Sequence, residues 1–202
     1  MICAIVLAAG CSKRMGTQKL LLPFGKSTVI SHIVNQLTKS KVEKTYVVVG
    51  HQREQVIKEL SDKPIGIIQN PEYKSGMLSS IRAGIRNIPQ EYDAVIIALG
   101  DQPSITTELI DKVVQNFSST DKNIIVPKYN DKRGHPILLS TIFKNEILTN
   151  FDDIGLRGIL QAHDNDIYEM NVTDQSVIAD MDYPQDYQQE IERYENRNEE
   201  IS

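Results

Sequence analysis

The residues with the plainest chemical potential lie near the start of the chain: Ala8, Ala9 and Gly10, then Ser12, Lys13, Arg14 and Lys19. Small residues let a backbone approach a ligand closely, its N–H groups can cradle phosphate oxygens, and the cations can neutralise a polyphosphate. Residues 1–42 hold Lys13, Arg14, Lys19, Lys26, Lys39 and Lys41 and no Asp or Glu at all. Solvated surface cations are therefore a poor account of Arg14 and Lys19, although Lys13 reads equally well as a solvated neighbour. Two commoner phosphate motifs fail here. The dinucleotide fingerprint needs G-x-G-x-x-G, whereas Gly10 and Gly16 stand alone, which disfavours a dehydrogenase. Gly25-Lys26-Ser27 ends like a Walker loop, but position 20 is Leu where that motif requires Gly.

A scaffold has to hold these residues, and the remaining sequence shows its pattern. Apolar, β-branched runs at 2–7, 45–49, 65–69, 94–99, 124–127 and 136–139 alternate with stretches at 27–39, 53–60, 77–87, 106–117 and 140–148. In the latter, apolar residues recur every three or four positions, as in amphipathic helices. The fold class is α/β. Ala4-Ile5-Val6-Leu7 and the run Ala94 to Leu99 are apolar at every position, as a central parallel strand covered on both faces must be. This predicts a three-layer α/β/α sandwich with a mostly parallel central sheet. Further on, 150–154 reads as a loop, 156–162 as a short helix and 167–172 as a strand. A last helix starts at Tyr183-Pro184, with the proline suited to its first turn. In such open sheets ligands lie beyond the carboxyl ends of the strands, which is where the loop after 2–7 falls.

The 202 residues fit one domain, read as 1–194, with an acidic, solvated tail at 195–202. A content of 40% apolar and 24% charged residues excludes collagen-like, mucin-like and wholly disordered chains. The net charge of −5 gives no general electrostatic reason to bind nucleic acid. Cys3 and Cys11, with no histidine pair beside them, form no zinc pattern and fit a reducing compartment. The opening apolar run is too short to span a bilayer and follows no positive charge, so a cytoplasmic protein without membrane contact is expected.

Several motifs recur in order. They are Leu7-Ala8-Ala9-Gly10-x-Ser12-x-Arg14-Met15-Gly16 with Lys19, Leu22-Pro23-Phe24-Gly25, Asn70-Pro71 through to Gly84, and Leu99-Gly100-Asp101-Gln102-Pro103. Arg133-Gly134-His135-Pro136, Asp153-Ile154-Gly155-Leu156-Arg157 and Asp182-Tyr183-Pro184-Gln185-Asp186-Tyr187 follow. Together they resemble the signature of the molybdopterin nucleotidyltransferase-like (MobA-like NTP transferase) family, and within it the molybdenum cofactor cytidylyltransferase branch. The resemblance implies a nucleotide-diphospho-sugar transferase-like, Rossmann-like sandwich. It also implies magnesium-dependent transfer from CTP to the phosphate of a molybdopterin-type acceptor, with release of pyrophosphate. Ala8-Ala9-Gly10 implies CTP, since Ala-Gly-Gly accompanies guanosine in that family. Guanylyl transfer, or a sugar or alditol phosphate acceptor, stays open. So does a non-catalytic molybdenum cofactor carrier or insertion chaperone in transient contact with a molybdenum hydroxylase, although Lys19, Asp101 and Asp182 argue against it.

Nucleotidyl transfer is an in-line displacement in which positioning and charge neutralisation do most of the catalysis. Mg²⁺ held by one or two carboxylates suits it, because the ion keeps waters and shares phosphate oxygens. Asp101, at the carboxyl end of the 94–99 run, is the first expected ligand. Its other reading is a helix cap, a role that Ser104 or Thr106 fills equally well. Asp182 is the second, with an N-cap before Pro184 as its alternative. The family pattern Asp-Ile-Asp-Thr-Pro falls on Asp180 and Asp182, while Met181 and Tyr183 depart from it. Arg14, Lys19 and Asp101 are the expected catalytic residues, the two cations acting on the β- and γ-phosphates. Leu7, Ala8, Ala9, Gly10, Ser12, Arg14, Lys19 and Asp101 are expected to contact the nucleotide, with Gly76, Ser79 and Ser80 at the base; Ser75 or Ser79 also suits a helix cap. His135 and Arg157 would flank an anionic acceptor, His135 reading equally as a turn anchor. His32, His51 and His163 have no partner cluster and read as core or surface residues, and Cys11 replaces a variable loop residue.

Overall fold

The computed structural model describes residues 1–152 and 154–199; Asp153 of the Asp-Ile-Gly-Leu-Arg motif and positions 200–202 of the expected tail lie outside the described residues. The elements run β1 (Ile2–Ala8), the hairpin β2 (Pro23–Phe24) and β3 (Ser27–Thr28), α1 (Val29–Lys39), β4 (Lys44–Val49), α2 (Arg53–Glu59), β5 (Gly66–Gln69), α3 (Met77–Asn87) and β6 (Ala94–Leu99). Then come α4 (Thr107–Ser119), β7 (Ile124–Tyr129), β8 (Lys132–Arg133), β9 (Ile137–Ser140), α5 (Lys144–Thr149), α6 (Leu156–Ala162), β10 (Ile167–Asn171) and α7 (Pro184–Glu199).

The main sheet has the order β10-β7-β9-β6-β1-β4-β5, with β8 paired to β7. β1 is parallel to β4 and β6, β4 to β5, and β7 to β10. β9 runs antiparallel between β6 and β7, so the sandwich is mostly parallel. The apolar strands alternate between two cores, which is why every position must be apolar. Ala4, Val6 and Ala8 of β1 face the layer of α1 and α4, whereas Cys3 and Ile5 face α3, α5 and α6. α3 lies close on β1 because Gly84 faces Ile5, and a Cβ there would come within 2.7 Å of Ile5 Cδ1. No described helix is long and apolar enough to cross a membrane.

Three boundaries differ from the expected ones for local reasons. Ser27 and Thr28 form a strand, not the first turn of a helix: Gly25, at φ +59°, turns the chain into the β2–β3 hairpin, and Thr28 caps α1 by accepting the Ser31 N–H. Ser140 closes β9 opposite Ala94, and its hydroxyl accepts the Ile142 N–H before α5 starts at Lys144. α7 continues to Glu199, through the first part of the stretch read as a solvated tail. Arg197 anchors it, donating to Ser104 O at 3.1 Å and to Asp174 Oδ2 at 2.9 Å.

Candidate active site

β1 sits where the strand order reverses, since the chain leaves it toward β4 and β5 on one side and later fills β6 on the other. At such a switch point the loops beyond the strand ends diverge and leave a crevice. The loop after β1 is bent by Ser12 at φ +47° and Gly16 at φ +68°. It is tied back by Met15 N–H to Ser12 O (3.1 Å) and by the Ser12 hydroxyl to Gln18 Oε1 (3.0 Å). On the β6 side, the Gly100 N–H donates to Leu7 O at 3.0 Å, and a Cβ on Gly100 would stand 2.8 Å from that oxygen. The glycine thus lets the Asp101 turn lie directly against the end of β1.

Lys19 then becomes the centre of the site. Its Nζ lies 2.5 Å from Asp101 Oδ2 and 3.3 Å from Asp182 Oδ1, and it donates to Met181 O at 2.8 Å. The side chain is only 13% exposed. Burial pushes its ammonium down, but Asp101 first and Asp182 next outweigh it and hold Lys19 above its ordinary value. Arg14 pairs with Asp182 from the other part of the loop and lies 5.8 Å over the Tyr183 ring. Asp182 therefore turns its carboxylate to the two cations and does not act as a cap. Asp186 instead reaches back to accept the Asp182 and Tyr183 N–H groups at 2.9 and 2.7 Å. Asp101 is likewise not a cap, because the Thr106 side chain accepts the Leu109 N–H at the start of α4.

A cleft of about 520 Å³ opens over these groups. The residues expected at the nucleotide line it except Ala8 and Ser79. Ala8 is buried in the sheet. Ser79 is used locally, donating to Glu72 O and Gly76 O and accepting from Asn70 Nδ2. Ser80 accepts from the same Asn70 amide at 3.0 Å and does face the cleft. Asn70 is thus the buried residue that sets both serines. Lys13 and Cys11 also line the cleft, as do Tyr73 and Met77, which the sequence did not single out.

A second cavity, of about 820 Å³, brings His135 and Arg157 together with Lys132, Arg133 and Gln102. The two spaces meet at Met77, Leu99 and Asp180, which line both. Burial raises the Asp180 carboxyl, the Asp101 charge raises it further, and a 2.8 Å hydrogen bond from Gln102 Nε2 opposes them. Asp180 was not placed at the site from sequence, although the Asp180-Met181-Asp182 run carried the signal. Burial lowers the His135 imidazole to about 4 against the opposing charge of Asp101, so the ring is neutral at neutral pH. His32 packs against Phe24 and Tyr194, His51 against Tyr73, and His163 bonds Glu146 at 2.8 Å, all outside the Lys19 centre.

Among the described residues no group of three or more His, Cys, Asp or Glu side chains forms a metal cage. Asp101 and Asp182 nevertheless converge on one cation, the Lys19 ammonium. Two carboxylates beside a cleft also lined by Lys13, Arg14 and Lys19 match the sparse protein donor set of Mg²⁺ and not the full cage of Ca²⁺ or Zn²⁺.

Comparison with known proteins agrees with this architecture. The molybdenum cofactor cytidylyltransferase of Escherichia coli K12 is 27% identical over 191 residues, covering 94% of this chain and 95% of that protein. A nucleotidyl transferase of Methanothermobacter thermautotrophicus, Mth528, superposes with a TM-score of 0.84 at 21% identity, over 98% of this chain and 99% of that one. Rv0371c of Mycobacterium tuberculosis H37Rv, solved in complex with manganese, superposes at 0.80 with 21% identity, over 95% and 98%. Residues 4–167 match the MobA-like NTP transferase domain. The chain is thus a nucleotidyltransferase and belongs to the MobA-like NTP transferase family.

Proposed function

We propose that the protein is a magnesium-dependent CTP:molybdopterin cytidylyltransferase. An oxygen of the acceptor's phosphate attacks the α-phosphorus of CTP; a new P–O bond forms, the α–β phosphoanhydride bond breaks, and pyrophosphate leaves. The product is a cytosine dinucleotide cofactor, which a molybdenum hydroxylase would receive by transient contact. The acceptor phosphate is already ionised at neutral pH, so no general base is required.

The observation that carries this reading is the adjacency of the two cavities at Met77, Leu99 and Asp180, one holding Arg14 and Lys19 and the other holding Arg157 and Lys132. That arrangement suits a triphosphate on one side and an anionic acceptor on the other, meeting where the α-phosphate would lie. Arg14 and Lys19 would neutralise charge on the departing pyrophosphate. Gly76 and Ser80 would face the base, with His135 and Arg157 on the acceptor. Asp101 and Asp182 would hold the magnesium, which supplies Lewis-acid neutralisation of phosphate charge when bound. The manganese in the solved Rv0371c complex supports a divalent ion, and the Escherichia coli relative supports CTP.

The test is a thermal-shift titration with CTP, GTP, ATP and NADPH, each with and without Mg²⁺, followed by pyrophosphate release with the molybdenum cofactor. A nucleotide at one hundred times its Kd stabilises the fold by about 2.7 kcal/mol. The expected result is a response to CTP that requires Mg²⁺, and CTP-dependent pyrophosphate release. A stronger response to GTP would assign the protein to guanylyl transfer instead. Binding of the cofactor without turnover of any nucleotide would make it a carrier.

A further inference from the structure

Asp101 and Asp182 each already face a cation of the protein itself. The Lys19 ammonium stands among three oxygens, Asp101 Oδ2 at 2.5 Å, Met181 O at 2.8 Å and Asp182 Oδ1 at 3.3 Å. Arg14 takes the other oxygen of Asp182. Asp180, the third carboxylate lining the cleft, accepts from Gln102 instead. Two carboxylates are thus matched by two cations, and a divalent ion placed beside both carboxylates would be pressed against the Lys19 ammonium.

Local structure lets this ammonium move while everything around it stays. Lys19 opens a single turn, Lys19–Leu21, in which Leu20 is buried, and its backbone N–H donates to Ser12 Oγ at 3.4 Å. The oxygens opposite are held as well. Asp186 accepts the N–H groups of Asp182 and Tyr183, and the Gly100 N–H ties the Asp101 turn to Leu7 O. Between a fixed main chain and a fixed set of oxygens lies only the flexible four-carbon stem of Lys19. The Asp101 side chain is 19% exposed, and a carboxylate so far removed from water is costly without a counter-charge. The ammonium supplies that charge until a ligand rich in anionic oxygens, such as a triphosphate, draws it away.

Resting on the reading of Asp101 and Asp182 as metal ligands, we propose that Lys19 has a second, positioning role. In the free protein its ammonium stands in for the divalent ion and keeps the two carboxylates converged; it yields them to the ion when a triphosphate takes Lys19 and Arg14. The ion alone therefore binds weakly, and ion and nucleotide strengthen each other's binding by the same factor. To test this, Mn²⁺ alone, without nucleotide, is titrated into the full chain and the free ion is read by electron paramagnetic resonance. Wild type is compared with Lys19→Met, which keeps the length of the stem and removes its charge. The control is Lys13→Met, which removes a cation that lines the same cleft and forms no ion pair among the described residues.

Lys19→Met is expected to bind Mn²⁺ about tenfold or more tightly than wild type and to rise in melting temperature with Mn²⁺ alone, while Lys13→Met stays within about threefold of wild type. Adding Asp101→Asn to Lys19→Met is expected to cancel the gain. Binding by Lys19→Met no tighter than by wild type, or an equal gain in Lys13→Met, overturns the stand-in role and leaves the metal reading standing. A gain that survives Asp101→Asn overturns Asp101 as a metal ligand, and the stand-in role with it. The melting transition without metal reports the fold of each variant, and Lys19→Gln replaces Lys19→Met, with the same expectations, if that transition is lost.

Discussion

Arg14 in the loop after β1 and Asp182 at the head of α7 form an ion pair 168 positions apart in sequence, and Lys19 contacts the same carboxylate. Both partners of the Arg14 pair are substantially exposed, at 61% and 44%. The pair therefore adds at most about 1 kcal/mol to stability. Its arrangement keeps the loop's cations at the mouth of the cleft, where a triphosphate would take them over. Arg14→Ala should leave the unfolding free energy within about 1 kcal/mol of wild type. Pyrophosphate release should nevertheless fall about 100-fold. Activity within threefold of wild type would remove Arg14 from the reaction.

Asp101 is the nearest carboxylate to Lys19, at 2.5 Å, and with Asp182 it forms the donor set suited to magnesium. Asp101→Asn should lower turnover by about 100-fold or more. It should also abolish the Mg²⁺-dependent part of the CTP thermal shift. Chelation of wild-type enzyme with EDTA should produce a comparable loss, reversed by added Mg²⁺. Activity that persists in excess EDTA would rule out the metal role of both aspartates.

Burial holds the His135 imidazole at about 4, below its ordinary 6.5. Between those values the unfolded chain binds more protons than the folded one, so folding stability rises with pH across that window and is lost as pH falls through it. The full effect would amount to no more than about 3.5 kcal/mol. His32 is also lowered, chiefly by burial, so the comparison must isolate His135. Urea unfolding of wild type and His135→Asn at pH 4, 5, 6 and 7 should give a shallower pH dependence in the variant. Parallel curves would show that His135 is readily protonated in the folded state.

Gly84 allows α3 to lie on β1, with Ile5 Cδ1 2.7 Å and Cγ2 2.9 Å from where a Cβ would stand. Gly84→Ala should destabilise the protein by about 1–3 kcal/mol through overpacking. Helix propensity alone would predict stabilisation by up to about 1 kcal/mol. Chemical denaturation gives the sign directly, and a stabilised variant would mean that the two layers part easily.

The parallel core was legible because burial on both faces leaves its strands no freedom of composition, as in the run from Ala94 to Leu99. β8, only Lys132–Arg133, was not legible, because both residues are exposed and carry no apolar pattern. The antiparallel course of β9 was equally hidden, since Ile137–Ser140 is buried at every position and reads the same in either direction. At the site, Lys19 and Asp101 could be singled out because chemistry and strand ends point to them. Asp180 could not, because its placement depends on Gln102 and on the approach of the 176–182 segment to the sheet. Ser79 was ambiguous for the opposite reason. Its hydroxyl suits a ligand as well as it suits a turn, and in the structure it donates to the carbonyls of Glu72 and Gly76.

α7 is fastened to early parts of the chain, Tyr187 donating to Pro23 O at 2.6 Å and Glu190 pairing with Ser104. The Lys19 centre therefore joins residues from both ends of the described chain. During synthesis the loop after β1 leaves the ribosome early, yet Asp182 reaches it only after nearly all of the sheet has been made. A nascent chain stopped at residue 167, where the family match ends, would have the loop after β1 and Asp101 but lack the second carboxylate. Translation itself thus delays the complete site until the fold around it exists.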